Sequence, residues 1–317
     1  MSGPPTSDDG TGRDVPPVSD GPVLALLGPT ASGKSALALE VAERRSAAGR
    51  PTELVAIDAF TVYRGMDVGT AKPSAQDRAR VPHHLVDVLD PAEELTVVRF
   101  RTLARAAIAE VHARGATALL VGGSGLYWRA VSDELAFPPT DAPLRRRLEA
   151  RYADDPAAAH GALAAVDPVA AARIGARNVR RLVRALEVVE LTGRRFSDWD
   201  GSWQRYESVY DDLDVAFLDP PGDVLRDAID RRARRMVADG LLDEVGRLRR
   251  AARSRTAAAA IGYAEAEAVL SGAAAADGLV DAIAARTRRY ARRQRAWFRA
   301  DPRCTATSPA DVLSRWG

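Results

Sequence analysis

Residues 28–35, Gly-Pro-Thr-Ala-Ser-Gly-Lys-Ser, match the pattern G-x-x-x-x-G-K-[ST]. Gly28 and Gly33 let the backbone curl, so that the N–H groups of Thr30, Ala31, Ser32 and their neighbours can point at phosphate oxygens. A helix starting at this point adds the positive end of its dipole. Lys34 contributes a point charge, and the Ser35 hydroxyl can ligate Mg²⁺. The chemistry implied is the handling of a di- or triphosphate; the motif does not say which one.

Asp58 follows directly on a short apolar run, residues 54–57. Ligands of open α/β sheets sit beyond the carboxyl ends of the strands, so its carboxylate is expected to face the phosphate loop. Two roles compete there. It can hold Mg²⁺ for phosphoryl transfer in a kinase or ATPase, or it can be a general base for an acceptor approaching a diphosphate-bearing carbon. A second glycine-rich junction, Gly122-Gly123-Ser124-Gly125, offers the Ser124 hydroxyl to a phosphate oxygen. The loop Gly69-Thr70-Ala71-Lys72-Pro73 can bring its lysine toward the same place. Only two of the 45 basic residues are lysine, Lys34 and Lys72. In a chain this tolerant of arginine, those positions call for a compact ammonium rather than a planar fork.

The elements that must position these groups alternate between strands and helices. Strands are expected at 23–27, 54–57, 85–89 and 118–121, with helices over 35–45 and 98–114; this pattern makes a parallel sheet covered on both faces. Pro138, Pro139 and Pro143 interrupt it, and residues 144–191 read as helices alone. A polar aromatic loop at 197–212 leads into a return strand at 215–218, then long amphipathic helices at 223–250 and 279–299. The organisation expected is a P-loop NTPase-like α/β core (21–137 and 201–317) interrupted by an all-helical insertion at 138–200, behind a disordered leader at 1–20.

Composition narrows the function classes. At 46% hydrophobic and 28% charged, the 317 residues are those of an ordinary globular protein. No apolar run reaches the ~18–20 residues of a membrane span, so no membrane role is expected. One cysteine, Cys304, excludes internal disulfides and agrees with a reducing cytoplasm. Four histidines, two of them the adjacent pair His83 and His84, offer no zinc spacing. The net charge of +2 conceals a basic stretch: residues 286–303 hold eight arginines against Asp301. Such a stretch can concentrate a polyanion.

Taken together, several segments resemble the tRNA dimethylallyltransferases, the adenosine isopentenyltransferase family. They are GPTASGKS (28–35), DAFTVYRGMDVGTAKP (58–73), VPHHLVDVLDP (81–91) and LLVGGSGLY (119–127), then DPVAAARI (167–174), RRLVRALEV (180–188), LTGR (191–194), IGY (261–263) and RRQRAWFR (292–299). They lie in the family's order and span roughly residues 22–303. The resemblance implies that the P-loop (Gly28, Thr30, Ala31, Ser32, Gly33, Lys34, Ser35) holds dimethylallyl diphosphate with Mg²⁺ rather than ATP. It also implies that Asp58 takes a proton from N6 of the adenine 3′ of the anticodon. Ser124 would contact the diphosphate and Arg232 would neutralise the departing pyrophosphate. The tRNA anticodon stem-loop would meet Asp58, Ala59, Phe60 and Thr61, Arg180, Arg181 and Arg184, Gly262 and Tyr263, and Arg292, Arg293, Gln294, Trp297 and Arg299. A cytoplasmic monomer is expected.

The chain departs from the pattern at Ala59, Phe60 and Thr61, where the family commonly has serine and, two residues later, often glutamine. It departs again at Ala228, four residues before Arg232, where a second arginine is common. Ala259 and Ala264 replace basic residues, and Ile174-Gly175-Ala176 replaces I-H-P. Most of these changes fall on acceptor recognition, so prenyl transfer to a free adenine nucleotide or another small amine stands as the alternative. A nucleotide-dependent kinase and a non-catalytic RNA-binding protein are the further readings.

Overall fold

The computed structural model describes residues 18–317. The chain runs through β1 (Val23–Leu27), α1 (Lys34–Ala47), β2 (Thr52–Ile57), α2 (Ala75–Arg80), β3 (His83–His84), α3 (Val97–Ala113), β4 (Thr117–Gly122) and α4 (Gly125–Ser132). Then come α5 (Ala142–Tyr152), α6 (Pro156–Val166), α7 (Pro168–Arg173), α8 (Val179–Thr192) and a 3₁₀ segment, Phe196–Gln204. The chain closes with β5 (Leu213–Phe217), α9 (Gly222–Ala238), α10 (Leu241–Leu248), α11 (Arg255–Ala258), α12 (Tyr263–Leu270), α13 (Leu279–Ala300) and α14 (Pro309–Trp316). No helix among the described residues is long and apolar enough to cross a membrane.

Two compact units emerge: residues 134–207, and the remainder of the described chain. The larger unit is a five-stranded parallel sheet in the order β3-β2-β4-β1-β5. All five residues of β1 are buried, as expected of a central strand covered on both faces. The register fixes the site. Leu27 pairs with Gly122 and Phe217, and Ile57 pairs with the same Gly122, so β1, β2, β4 and β5 end level. The loops that follow β1, β2 and β4 therefore leave the sheet at one edge.

Four sequence-based expectations are corrected. Residues 85–89 are not a strand: pairing stops at His84, and Leu85 and Asp87 take positive φ values of 62° and 58°. Leu85 and Leu89 are still buried, because the segment turns back along 61–64; the Asp87 and Leu89 N–H groups donate to the Thr61 and Val62 carbonyls. The helix expected over 223–250 is two helices, broken where Gly240 adopts φ 95°. The 197–212 loop contains the 3₁₀ turns. The expected leader falls mostly on residues 1–17, which lie outside the described residues, but 18–20 are packed: Val18 lies against the core and Ser19 Oγ is hydrogen-bonded to His112 Nδ1 at 2.6 Å.

The smaller unit folds around Leu144, Leu148, Tyr152, Leu163, Ile174, Leu182 and Val183. Each of its helices begins with a side-chain cap: Asp141, Asp155, Asp167 and Asn178 accept from Leu144 N, Ala158 N, Ala170 N and Arg181 N. Proline in the first turn of α5, α6 and α7 removes a donor that the helix would leave unpaired. Glu187, fully buried, accepts from Thr140 Oγ1, Asp141 N, Arg145 and Arg184. Burial alone would raise its carboxyl, but the bonds from Arg184, Asp141 N and Arg145 outweigh that and hold it below the usual carboxylate range.

Candidate active site

The glycine-rich loop after β1 curls as its sequence requires. Ala31 and Gly33 adopt φ 65° and 87°, and α1 starts at Lys34. Gly28 has no room for a side chain, since a Cβ there would lie 2.8 Å from the Leu218 carbonyl oxygen and 2.9 Å from Ser32 Oγ. Beside the loop opens a cavity of about 730 Å³ whose wall includes Thr30, Lys34, Ser35, Asp58, Phe60, Thr61, Arg232, Tyr290 and Gln294. A second cavity of about 570 Å³ shares Lys34, Ser35 and Arg232 and adds Ala31, Gly33, Arg231 and Arg235.

The cradle is a concentration of positive charge with little to balance it. Among the described residues Lys34 Nζ donates only to the Pro29 carbonyl, at 3.2 Å. Burial, with the Arg232 guanidinium second, pushes its pKa down to about 8; the nearby Asp58 carboxylate pulls the other way. Burial likewise lowers Arg232. Such a site gains most from a ligand that brings several negative charges. Asp58 stands at the end of β2. Its Oδ1 accepts from the Phe60 and Thr61 N–H groups at 2.8 and 3.2 Å, while Oδ2 makes no hydrogen bond among the described residues. The carboxylate is fixed by one oxygen and free at the other.

The loop bearing Thr70 is held from behind. Glu244, buried on α10, accepts from Asp67 N, Val68 N and Gly69 N at 2.8 to 3.0 Å and from the Tyr263 hydroxyl at 2.6 Å. Lys72 lines both cavities, but its ammonium is already occupied. The side chain, 2% exposed, donates to the Tyr63 carbonyl, Asp67 Oδ1 and Asp87 Oδ1, which uses the three donors that only an ammonium presents in a cone. The Thr70 carbonyl in turn accepts from Arg232 Nη2 at 3.2 Å. The chain of contacts Tyr263–Glu244–loop–Arg232 thus aims the guanidinium at the cavity.

The residues expected to bind substrate separate into three groups. Lys34, Ser35, Asp58 and Arg232 meet in one cavity, with Thr30, Phe60 and Thr61 in its wall. Arg180, Arg181, Arg292 and Arg293 are exposed and make no ion pair among the described residues, and Trp297 is 43% exposed. The rest are packed inward or, like the exposed Arg299, already paired. Ala59 packs against the core. Tyr263 is fully buried, with Gly262 beside it, and is spent on Glu244. Arg184 donates to the Pro138 and Pro139 carbonyls and to Glu187, and Arg299 pairs with Asp219. Ser124 opens α4 and lies in the wall of neither cavity; the place beside Gly123 is taken by Gln294, whose carboxamide is buried.

Glu244 and Gln294 are the residues whose roles sequence reasoning missed. The signal for Glu244 was a carboxylate on the apolar face of a helix, between Leu241, Val245 and Leu248. Among the described residues, no group of three or more His, Cys, Asp or Glu side chains is placed to hold a metal ion.

A glycine-rich phosphate loop at the carboxyl edge of a parallel sheet, facing a fixed carboxylate across a cavity, defines a P-loop-like α/β protein built to act on a phosphate ester. The family model "IPP transferase" matches residues 61–301. The chain is 46% identical to a tRNA dimethylallyltransferase of Bifidobacterium longum, over 89% of this chain and 84% of that one. It is 48% identical to one of Kineococcus radiotolerans, over 89% of each. A crystal structure of the tRNA isopentenylpyrophosphate transferase of Bacillus halodurans aligns with a TM-score of 0.65 at 38% identity, covering 91% of this chain and 90% of that chain. The chain belongs to the tRNA dimethylallyltransferase family.

Proposed function

We propose that this protein transfers the dimethylallyl group of dimethylallyl diphosphate to N6 of the adenine 3′ of the anticodon in tRNA. The observation that carries the reading is the single cavity in which Lys34 and Arg232 face Asp58, with the free Oδ2 of that carboxylate available to a base. A kinase needs its acidic residue on metal; here the same residue suits a nucleophile whose proton must be removed.

In the reaction the N6–C1 bond forms as the bond from C1 to the bridging oxygen breaks. The electron pair stays on pyrophosphate, and the N6 proton passes to Asp58 Oδ2. Lys34, Arg232 and the loop amides, already in place, stabilise the charge that builds on the leaving group. Apolar wall residues such as Leu54, Ala56 and Val121 keep water from the cation-like carbon. The N6 lone pair is delocalised into the ring, so a positioned base is worth about 10²–10⁴ in rate. The adenine must leave its stack to reach the cavity. Magnesium would be held by Ser35 together with the diphosphate, and would supply further charge neutralisation.

We assign Arg180, Arg181, Arg292, Arg293 and Trp297 to the RNA, the first four as phosphate contacts and the last as a stacking surface. The protein would act as a cytoplasmic monomer. Purified protein, Mg²⁺, dimethylallyl diphosphate and an anticodon stem-loop are expected to yield N6-prenylated adenosine. Turnover on AMP, ADP or ATP with none on the stem-loop would move the assignment to a free nucleotide acceptor.

A further inference from the structure

Gln294 follows Arg292 and Arg293 on α13, side chains that point to solvent, yet it is only 5% exposed. Its carboxamide spans two loops. Oε1 accepts from the Thr30 N–H of the phosphate loop at 2.9 Å, and Nε2 donates to the Gly123 carbonyl of the β4–α4 junction at 2.6 Å. These partners lie 264 and 171 residues away in sequence. The packing leaves no slack: a Cβ on Gly123 would come within 2.4 Å of Gln294 Nε2 and 3.0 Å of the Gly28 carbonyl oxygen. One turn further on, Trp297 lies over Gly125, where a Cβ would meet the indole at 2.8 Å.

We propose that Gln294 is a positioning residue for the donor, a bridge that sets the distance between the phosphate loop and the Gly123 junction. The Thr30 amide is consumed by this bridge, so phosphate is left to the amides further along the loop and to Lys34. A glutamine suits the place because it offers one acceptor and one donor to two backbone groups of opposite kind. Those groups leave the sheet at the level ends of β1 and β4, and without the bridge the only side-chain hydrogen bond to the first turn of the loop among the described residues is the one from Lys34 Nζ to the Pro29 carbonyl. The outward arginines of the same helix serve RNA under the reading above. The inward glutamine serves pyrophosphate. The inference rests on that reading only for the chemical nature of the donor.

The test measures binding of inorganic pyrophosphate with Mg²⁺ by calorimetry, beside binding of a stem-loop RNA by fluorescence anisotropy. Removing both hydrogen bonds in Gln294→Ala is expected to weaken pyrophosphate about tenfold. Gln294→Glu keeps the acceptor for Thr30 but sets a carboxylate oxygen against the Gly123 carbonyl and adds negative charge beside the loop, so it is expected to weaken pyrophosphate at least as much. Stem-loop affinity is expected to stay within about twofold in both, since the carboxamide is buried. Gly123→Ala supplies the signature of a bridge: its loss of pyrophosphate affinity is expected to be smaller in the Gln294→Ala background than alone, because the closest clash has been removed. Unchanged pyrophosphate binding in both Gln294 variants would overturn the proposal. So would weakened stem-loop binding with pyrophosphate unaffected, which would make Gln294 an acceptor contact. If the stem-loop fails to bind even the parent protein while the pyrophosphate effects appear, the acceptor assignment fails and the bridge stands.

Discussion

The two compact units use the same device, a buried carboxylate that gathers donors, toward opposite electrostatic ends. In the helical unit Glu187 neutralises Arg145 and Arg184. In the sheet unit Glu244 gathers three backbone N–H groups and a tyrosine hydroxyl, with no cation among its hydrogen-bond partners. It stabilises a loop while leaving Arg232 and Lys34 uncompensated beyond it. A structural unit pairs its buried charges. A binding site withholds the pairing, because charge already neutralised from within has little left to offer a ligand.

The comparison breaks most sharply at Asp58, the carboxylate whose charge acts on both of those cations. Asp58→Asn is expected to lower kcat by about 10²–10⁴ with pyrophosphate affinity preserved or improved, as rapid-quench turnover beside calorimetry would measure. A fall in donor affinity of the same size would place the carboxylate on metal instead.

Next in size is Glu187→Ala, which strands Arg145 and Arg184 and is expected to cost about 3–5 kcal/mol of stability, read from denaturant melts. Pyrophosphate affinity at temperatures below the transition should not move. The parent protein should also lose this contribution on acidification. The Glu187 carboxyl is depressed in the folded state, so its share is present above the unfolded pKa and disappears as pH falls through the folded one.

The cradle should respond to pH at the other end of the scale. Lys34 is held at about 8, so free protein loses that proton as pH rises above 8. Pyrophosphate affinity, corrected for the ligand's own titration, is then expected to fall about tenfold per pH unit as only the ammonium form binds. Binding near pH 8.5 should take up a proton, seen as a buffer-dependent enthalpy. Lys34→Arg should abolish both effects. The smallest effects belong to the exposed arginines: Arg180→Ala and Arg181→Ala should each reduce the salt slope of stem-loop binding by about 1, and Arg184→Ala should not.

How much of this could be read in advance follows sequence distance. The phosphate loop is eight consecutive residues, and its glycines, lysine and serine announce their geometry locally. Asp58 was legible because a strand end dictates where its side chain stands. Lys72 was singled out correctly as needing an ammonium, but the reason lay in Asp87, fifteen residues on, inside a segment expected to be a strand. Apolar residues at 85 and 89 fit a strand or a folded-back loop equally well, and the positive φ at Leu85 and Asp87 decided it. Glu244 and Gln294 were opaque because their partners are 177 and 264 residues away. A motif can show that Gln294 matters without showing which side of the helix it serves.

The glycines around the site carry a consequence for how such a sequence can drift. Gly69 lies under the Tyr263 ring, where a Cβ would fall 2.4 Å from a ring carbon, as Gly123 lies under Gln294 and Gly125 under Trp297. Each loop position is pinned by a large side chain from α12 or α13, two helices far downstream in the chain. Neither member of a couple can be replaced first without a clash or a void, so lineages should exchange them together or keep both.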